Sequence, residues 1–170
     1  MKADYYFKKE VEHLLAALMP QNRLALEVSL ATGLRIGDVL ALKVEDVRKG
    51  RWTVQEHKTG KRKVIKLNKT LQAACLAIAG PIYVFTGRLD GRQHRTRQAV
   101  WKDLKRVAAL FHLKVNLAPH SMRKIYAVEQ YHKSGDLKRV QKLLNHENEA
   151  VTMLYAMPDG QVRRRFGDGA

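Results

Sequence analysis

Six side chains suited to phosphate chemistry lie in four separated pieces of this sequence: Arg35 in TGLRIGD, Lys58 in HKTGK, His120 and Arg123 in PHSMR, and His146 and Tyr155 in LLNHENEAVTMLYA. Guanidinium and ammonium groups neutralise phosphate oxygens, imidazoles exchange protons near neutrality, and a phenol is a nucleophile that can carry a phosphoryl group covalently. Each piece alone also has an ordinary reading. Arg35 followed by Asp38 makes an (i, i+3) helix pair worth roughly a few tenths of a kcal/mol. A lysine in a turn is usually just solvated, and His120 and Arg123, one helical turn apart, place two donors side by side as helices often do. Tyr155, next to Met153 and Leu154, would ordinarily be core. What decides between packing and chemistry is whether the fold gathers them.

Composition limits what that fold and its partner are. With 170 residues, 45% of them hydrophobic, the chain has room for one well-buried core and is short for two domains. Lys and Arg number 32 against 16 acids, a formal charge of +16 and a pI near 10.2. That excess calls for a polyanion. The basic residues are spread along the chain and interleaved with apolar positions, which favours nucleic acid over a membrane surface; a purely structural nucleic-acid binder fits this charge as well as an enzyme does. The single cysteine, Cys75, excludes an intramolecular disulfide and a cysteine zinc site and suits a reducing compartment. The charged N-terminus has no signal-peptide pattern. The longest apolar run, Ala73 to Phe85, is broken by Gly80 and Pro81 and falls short of the roughly 20 residues of a membrane span. A soluble, cytoplasmic protein without membrane contact is expected.

The periodicity predicts a mainly helical chain with one small antiparallel sheet. Helices are expected over Asp4 to Met19, Asn22 to Thr32 with Gly33 at its end, Ile36 to Leu42, Thr70 to Ala79, Thr96 to Phe111 with Thr96 as N-cap, Ser121 to Lys133, and Leu137 to Leu144 capped by Asp136. Trp52 and Val54, then Val64 or Ile65 with Leu67, alternate on either side of a Lys-Thr-Gly-Lys turn, the pattern of a β-hairpin. Ile82 to Phe85 is a short strand candidate. No repeat or linker interrupts the chain.

In this order, the four pieces resemble the catalytic domain of the tyrosine recombinases, the phage integrase family, over nearly the whole chain. TGLRIGDVLAL is similar to the family's first arginine box, HKTGKRKVIKL to its lysine hairpin, PHSMRKIYA to its His-x-x-Arg box, and LLNHENEAVTMLYA to its Leu-Gly-His box and nucleophilic tyrosine. The resemblance implies an α+β tyrosine recombinase catalytic-domain fold and a transesterase that cleaves and rejoins DNA through a 3′-phosphotyrosine link. Tyr155 would be the nucleophile. Arg35 and Arg123 would cancel charge on the phosphate, Lys58 would protonate the leaving 5′-oxygen, and His120 would serve as base or positioning group. His146 would donate a further hydrogen bond, and Asp38 would hold Arg35 through their pair. Neither metal nor other cofactor is implied, since the guanidiniums supply the charge and no acidic cluster suits a two-metal site. Double-stranded DNA is the expected partner, with tetramers expected only on synapsed DNA and a bacterial or phage origin.

Asn145 stands where the family usually has glycine, a substitution that a left-handed backbone tolerates. The separate helical domain that usually precedes this one is not in the sequence, so a single catalytic domain over 1–170 is expected. Arg92, Arg95, Arg97 and Gln98, around the start of the Thr96 helix, are candidate DNA contacts. The tail from residue 158, with QVRRRF, either frays or docks on a neighbouring protomer. Two other readings fit the same residues: a DNA-binding protein of this fold without catalysis, and a type IB topoisomerase-like relaxing enzyme.

Overall fold

The structure, a computed structural model, describes residues 13–112 and 118–145. Residues 13–16 are helical, and Leu14, Leu15 and Leu18 are buried as their spacing predicts; the rest of that expected helix, from Asp4, lies outside the described residues. Pro20 both stops this segment and starts the next. It occupies the first turn of α1 (Pro20–Thr32), where a missing N–H breaks no helical bond. Gly33 ends α1 at φ 68°, its N–H donating to the Ser29 carbonyl, and two short helices follow, α2 (Ile36–Leu40) and α3 (Val44–Arg48).

Strands β1 (Arg51–Gln55) and β2 (Arg62–Lys66) pair antiparallel, Trp52 opposite Ile65. Ile65 and Leu67 are buried while Val64 is 55% exposed, so Ile65 is the inward residue of the two that the pattern allows. The turn is closed by the Glu56 N–H to the Lys61 carbonyl at 2.9 Å and the Gly60 N–H to the Glu56 carbonyl at 2.8 Å. Helix α4 (Lys69–Ala77) opens at Asn68, whose side chain accepts from the Leu71 N–H. Ile82 to Phe85 forms no strand, contrary to expectation. It makes an isolated bridge between Lys43 and Tyr83, with Val84 and Phe85 fully buried, so its apolarity serves the core and not a sheet face.

The remaining helices are α5 (Arg97–Leu110), α6 (Pro119–Ser134) and α7 (Leu137–Leu143). Thr96 accepts from the Ala99 N–H at 3.2 Å and Asp136 from the Arg139 N–H at 3.1 Å, both as predicted. Helix α1 packs against α6 and is buried at Ala25, Leu26 and Val28. Around it a single core collects Leu34 and Leu40, the inner face of the hairpin, Val100 and Leu104 of α5, and Met122 and Ile125 of α6. Each large aliphatic side chain so buried contributes about 1.5–3 kcal/mol. A smaller cluster of Tyr126, Ala127, Val140 and Leu144 joins α6 to α7. Among the described residues, no helix is long and apolar enough to cross a membrane.

Candidate active site

Four of the six candidate residues face one cleft of about 930 Å³: Arg35, Lys58, His120 and Arg123 all line it, together with Thr96, Arg97, Gln98 and Trp101 from the start of α5. Arg35 is the N-cap of α2 in extended conformation, presented by a loop whose geometry is fixed from α1. There the Ser29 hydroxyl donates to the Leu34 carbonyl at 2.8 Å, and Leu34 is fully buried. Lys58 sits exposed in the hairpin turn. His120 and Arg123 come from the first turns of α6.

Arg123 is 1% exposed. A buried guanidinium must have its donors and its charge met. Its Nη1 donates to the Gly33 carbonyl at 2.6 Å, its Nη2 to the Leu144 carbonyl, and its Nη1 lies 3.7 Å from Glu56 Oε1. Gly33 is required here twice over: its φ is positive, and a Cβ would lie 2.4 Å from Tyr126 Cδ1.

Arg35 does not pair with Asp38. Its Nη1 donates instead to Glu56 Oε2, and Asp38 Oδ1 accepts from the His57 N–H at 2.9 Å. The helix-local pair loses because Asp38, 3% exposed, is turned toward the hairpin. Asp38 thus fastens the lysine turn, while Glu56 holds the arginine. Burial raises the Glu56 pKa, but the Thr59 hydrogen bond and the charges of Arg35 and Arg123 outweigh it, so the carboxyl titrates below its ordinary value. Behind the arginines, Lys63 donates to the Thr32 carbonyl at 2.6 Å and stands 5.3 Å from the Tyr126 ring. Burial, then the Arg123 charge, brings its pKa down to about 8.

His120 reaches solvent at the rim, yet its partial desolvation and the cations Arg123, Lys124, Arg35 and Lys58 push its pKa down to about 4. Its imidazole is therefore neutral at physiological pH and able to accept a proton.

The candidate DNA contacts divide. Arg97 and Gln98 are exposed and line the cleft, and Arg92 is exposed on the preceding loop. Arg95 turns inward: it donates to the Asn22 and Gln21 side-chain oxygens, beside Asp103, which accepts from Asn22 Nδ2 at 2.7 Å and the Met19 N–H at 2.9 Å. This arginine ties the loop to the start of α1. His146, Tyr155 and the tail lie outside the described residues.

Sequence reasoning missed Glu56 and Lys63. A signal for Glu56 was present: it continues the inward alternation of Trp52 and Val54, and an acid at an inward strand position needs a buried cation.

The profile of the phage integrase family matches residues 6–161. The tyrosine recombinase XerD of Listeria monocytogenes serotype 4b (strain F2365) is 30% identical over 165 residues, covering 86% of this chain and 55% of that protein. Among solved structures, a lambda integrase dimer bound to a COC′ core site superposes with a TM-score of 0.76 at 22% identity, covering 95% of this chain and 50% of that one. A lambda integrase tetramer bound to a Holliday junction gives 0.72 at 22% identity, covering 91% and 48%. This chain spans about half the length of these proteins.

Proposed function

The chain belongs to the phage integrase family, and from that premise we propose that it carries out the strand cleavage and rejoining of a site-specific DNA recombinase. The observation that carries this reading is the convergence of Arg35, Lys58, His120 and Arg123 on one cleft. The Tyr155 phenol oxygen attacks a DNA phosphorus, forming a 3′-phosphotyrosine bond as the bond to the 5′-oxygen breaks. His120, neutral in the resting site, takes the phenol proton. Lys58 supplies the proton that leaves with the 5′-hydroxyl. Arg35 and Arg123 neutralise the non-bridging oxygens with paired donors, and His146 adds a further hydrogen bond. One phosphoester replaces another, so the reverse reaction with a second 5′-hydroxyl exchanges strands without an external energy source.

Double-stranded DNA is the proposed substrate, approached across Arg92, Arg97 and Gln98, and tetramers form on two synapsed duplexes in the cytoplasm of a bacterial host. The resemblance to a tetramer held on a Holliday junction and the net charge of +16 support this reading. Suicide duplexes carrying randomised sites and a nick near the cleavage position test it. We expect a covalent protein–DNA adduct that disappears in Tyr155→Phe. Tight binding to the same duplexes with no adduct would instead identify a non-catalytic DNA binder, and relaxation of any supercoiled plasmid would identify a topoisomerase.

A further inference from the structure

Glu56 has no exposed surface and does not line the cleft, yet it touches both arginines that do. Oε2 accepts from Arg35 Nη1 and, at 2.9 Å, from the Thr59 hydroxyl, and Oε1 lies 3.7 Å from Arg123 Nη1. The carboxylate therefore stands behind the two guanidiniums, on the side away from the open cleft. Without an anion there, two adjacent cations repel and the Arg35 guanidinium loses the oxygen it donates to, while Arg123 keeps its bonds to the Gly33 and Leu144 carbonyls. With it, Arg35 is held and the charge of Arg123 is balanced before any phosphate arrives, which is the condition under which fixed charges stabilise a transition state most. The same carboxylate belongs to the hairpin turn: Lys58 is two residues on, and Thr59 binds the oxygen that Arg35 binds. The arginine pair and the lysine turn are consequently joined through one side chain.

We infer that Glu56 is a positioning residue for DNA cleavage, acting through Arg35 and Arg123 to aim both guanidiniums at a single phosphate without touching the DNA itself. This rests on the proposed recombinase activity.

The test is single-turnover cleavage of a site recovered from the randomised suicide duplexes, at saturating DNA, with wild type, Glu56→Gln, Glu56→Asp and Lys58→Ala. Glu56→Gln keeps the shape and an acceptor for Thr59 but loses the charge. We expect it to cleave at least tenfold more slowly while binding DNA as tightly as wild type or more tightly, one negative charge having left a basic site. A duplex whose bridging 5′-oxygen is replaced by sulfur separates the two routes, since a thiolate leaves without a proton. Sulfur should restore Lys58→Ala but leave the Glu56→Gln defect in place. Glu56→Asp keeps the charge and draws it back by one methylene, and should recover part of the rate if Glu56→Gln folds. If Glu56→Gln does not fold, Glu56→Asp is read alone, and slowed cleavage with intact binding supports the inference. Wild-type cleavage rates in these variants, rescue of Glu56→Gln by sulfur, or parallel losses of binding, melting temperature and rate would each overturn it. Absence of an adduct with wild type defeats the recombinase reading and this inference together; an adduct equal in wild type and Glu56→Gln defeats only this one.

Discussion

His120 shows how far one residue's chemistry is set by its neighbours. Partial desolvation and the surrounding cations bring its pKa to about 4, against an ordinary value near 6.5. The depressed value favours the neutral ring, so the form that accepts a proton is lost only as pH falls through about 4. Cleavage at DNA concentrations well below saturation, where the rate reports the free protein's groups, should accordingly stay level in its acid limb from pH 8 to 6 and decline below about 5; a rate that halves near 6.5 there would remove His120 from the proposed base role. Asn145 carries a second prediction. Its φ is 51°, a conformation asparagine adopts more readily than other side-chain-bearing residues and glycine adopts freely. Asn145→Gly should leave the thermal midpoint within a degree or two of wild type or raise it, whereas Asn145→Ala should lose about 1 kcal/mol in chemical denaturation.

Among the elements, the α1 end is the most tightly specified. An alanine at Gly33 meets both a positive φ and the Tyr126 ring, so Gly33→Ala should destabilise by about 2–4 kcal/mol, the sum of backbone strain and overpacking. Adding Tyr126→Leu should make the double variant more stable than additivity predicts, because it relieves the clash; strict additivity in denaturation would show that the two do not press on each other. The glycine itself was legible in the sequence as a helix terminator. So were the hairpin, through the alternation of Trp52 and Val54 and of Val64 or Ile65 with Leu67, and the caps at Thr96 and Asp136, because those signals act within a few residues of themselves. Helix α3 was not, since five residues are too few to display a 3.6-residue period. The run Ile82 to Phe85 announces burial but not conformation: a short apolar run suits a strand candidate and a buried coil alike. At the site, the sequence pointed to the residues lining the cleft but not to those behind it. Asp38 and Arg35 are neighbours in the chain, but Asp38 bonds the His57 backbone and Arg35 bonds Glu56, and such nonlocal choices depend on how helix and hairpin dock.

For the whole molecule, the charge of +16 makes affinity for the proposed DNA substrate steeply dependent on salt, and the structure distinguishes an exposed arginine of the cleft, Arg97, from one bound within the fold, Arg95. Arg97→Ala should lower the slope of log affinity against log salt by about 1. Arg95→Ala should leave the slope unchanged and reduce the melting temperature instead, because its partners are Asn22 and Gln21; equal slope changes in binding titrations would cancel that distinction. Arg123 both lines the cleft and is bound within the fold. Its guanidinium pins the carbonyl of Gly33 and that of Leu144, and the chain beyond Leu144 runs within two residues to His146. Deleting this cation would release both carbonyls as well as remove a charge from the cleft. As the inactive reference for the proposed reaction, Tyr155→Phe is therefore preferable to neutralising Arg123, a change that forfeits both carbonyl bonds.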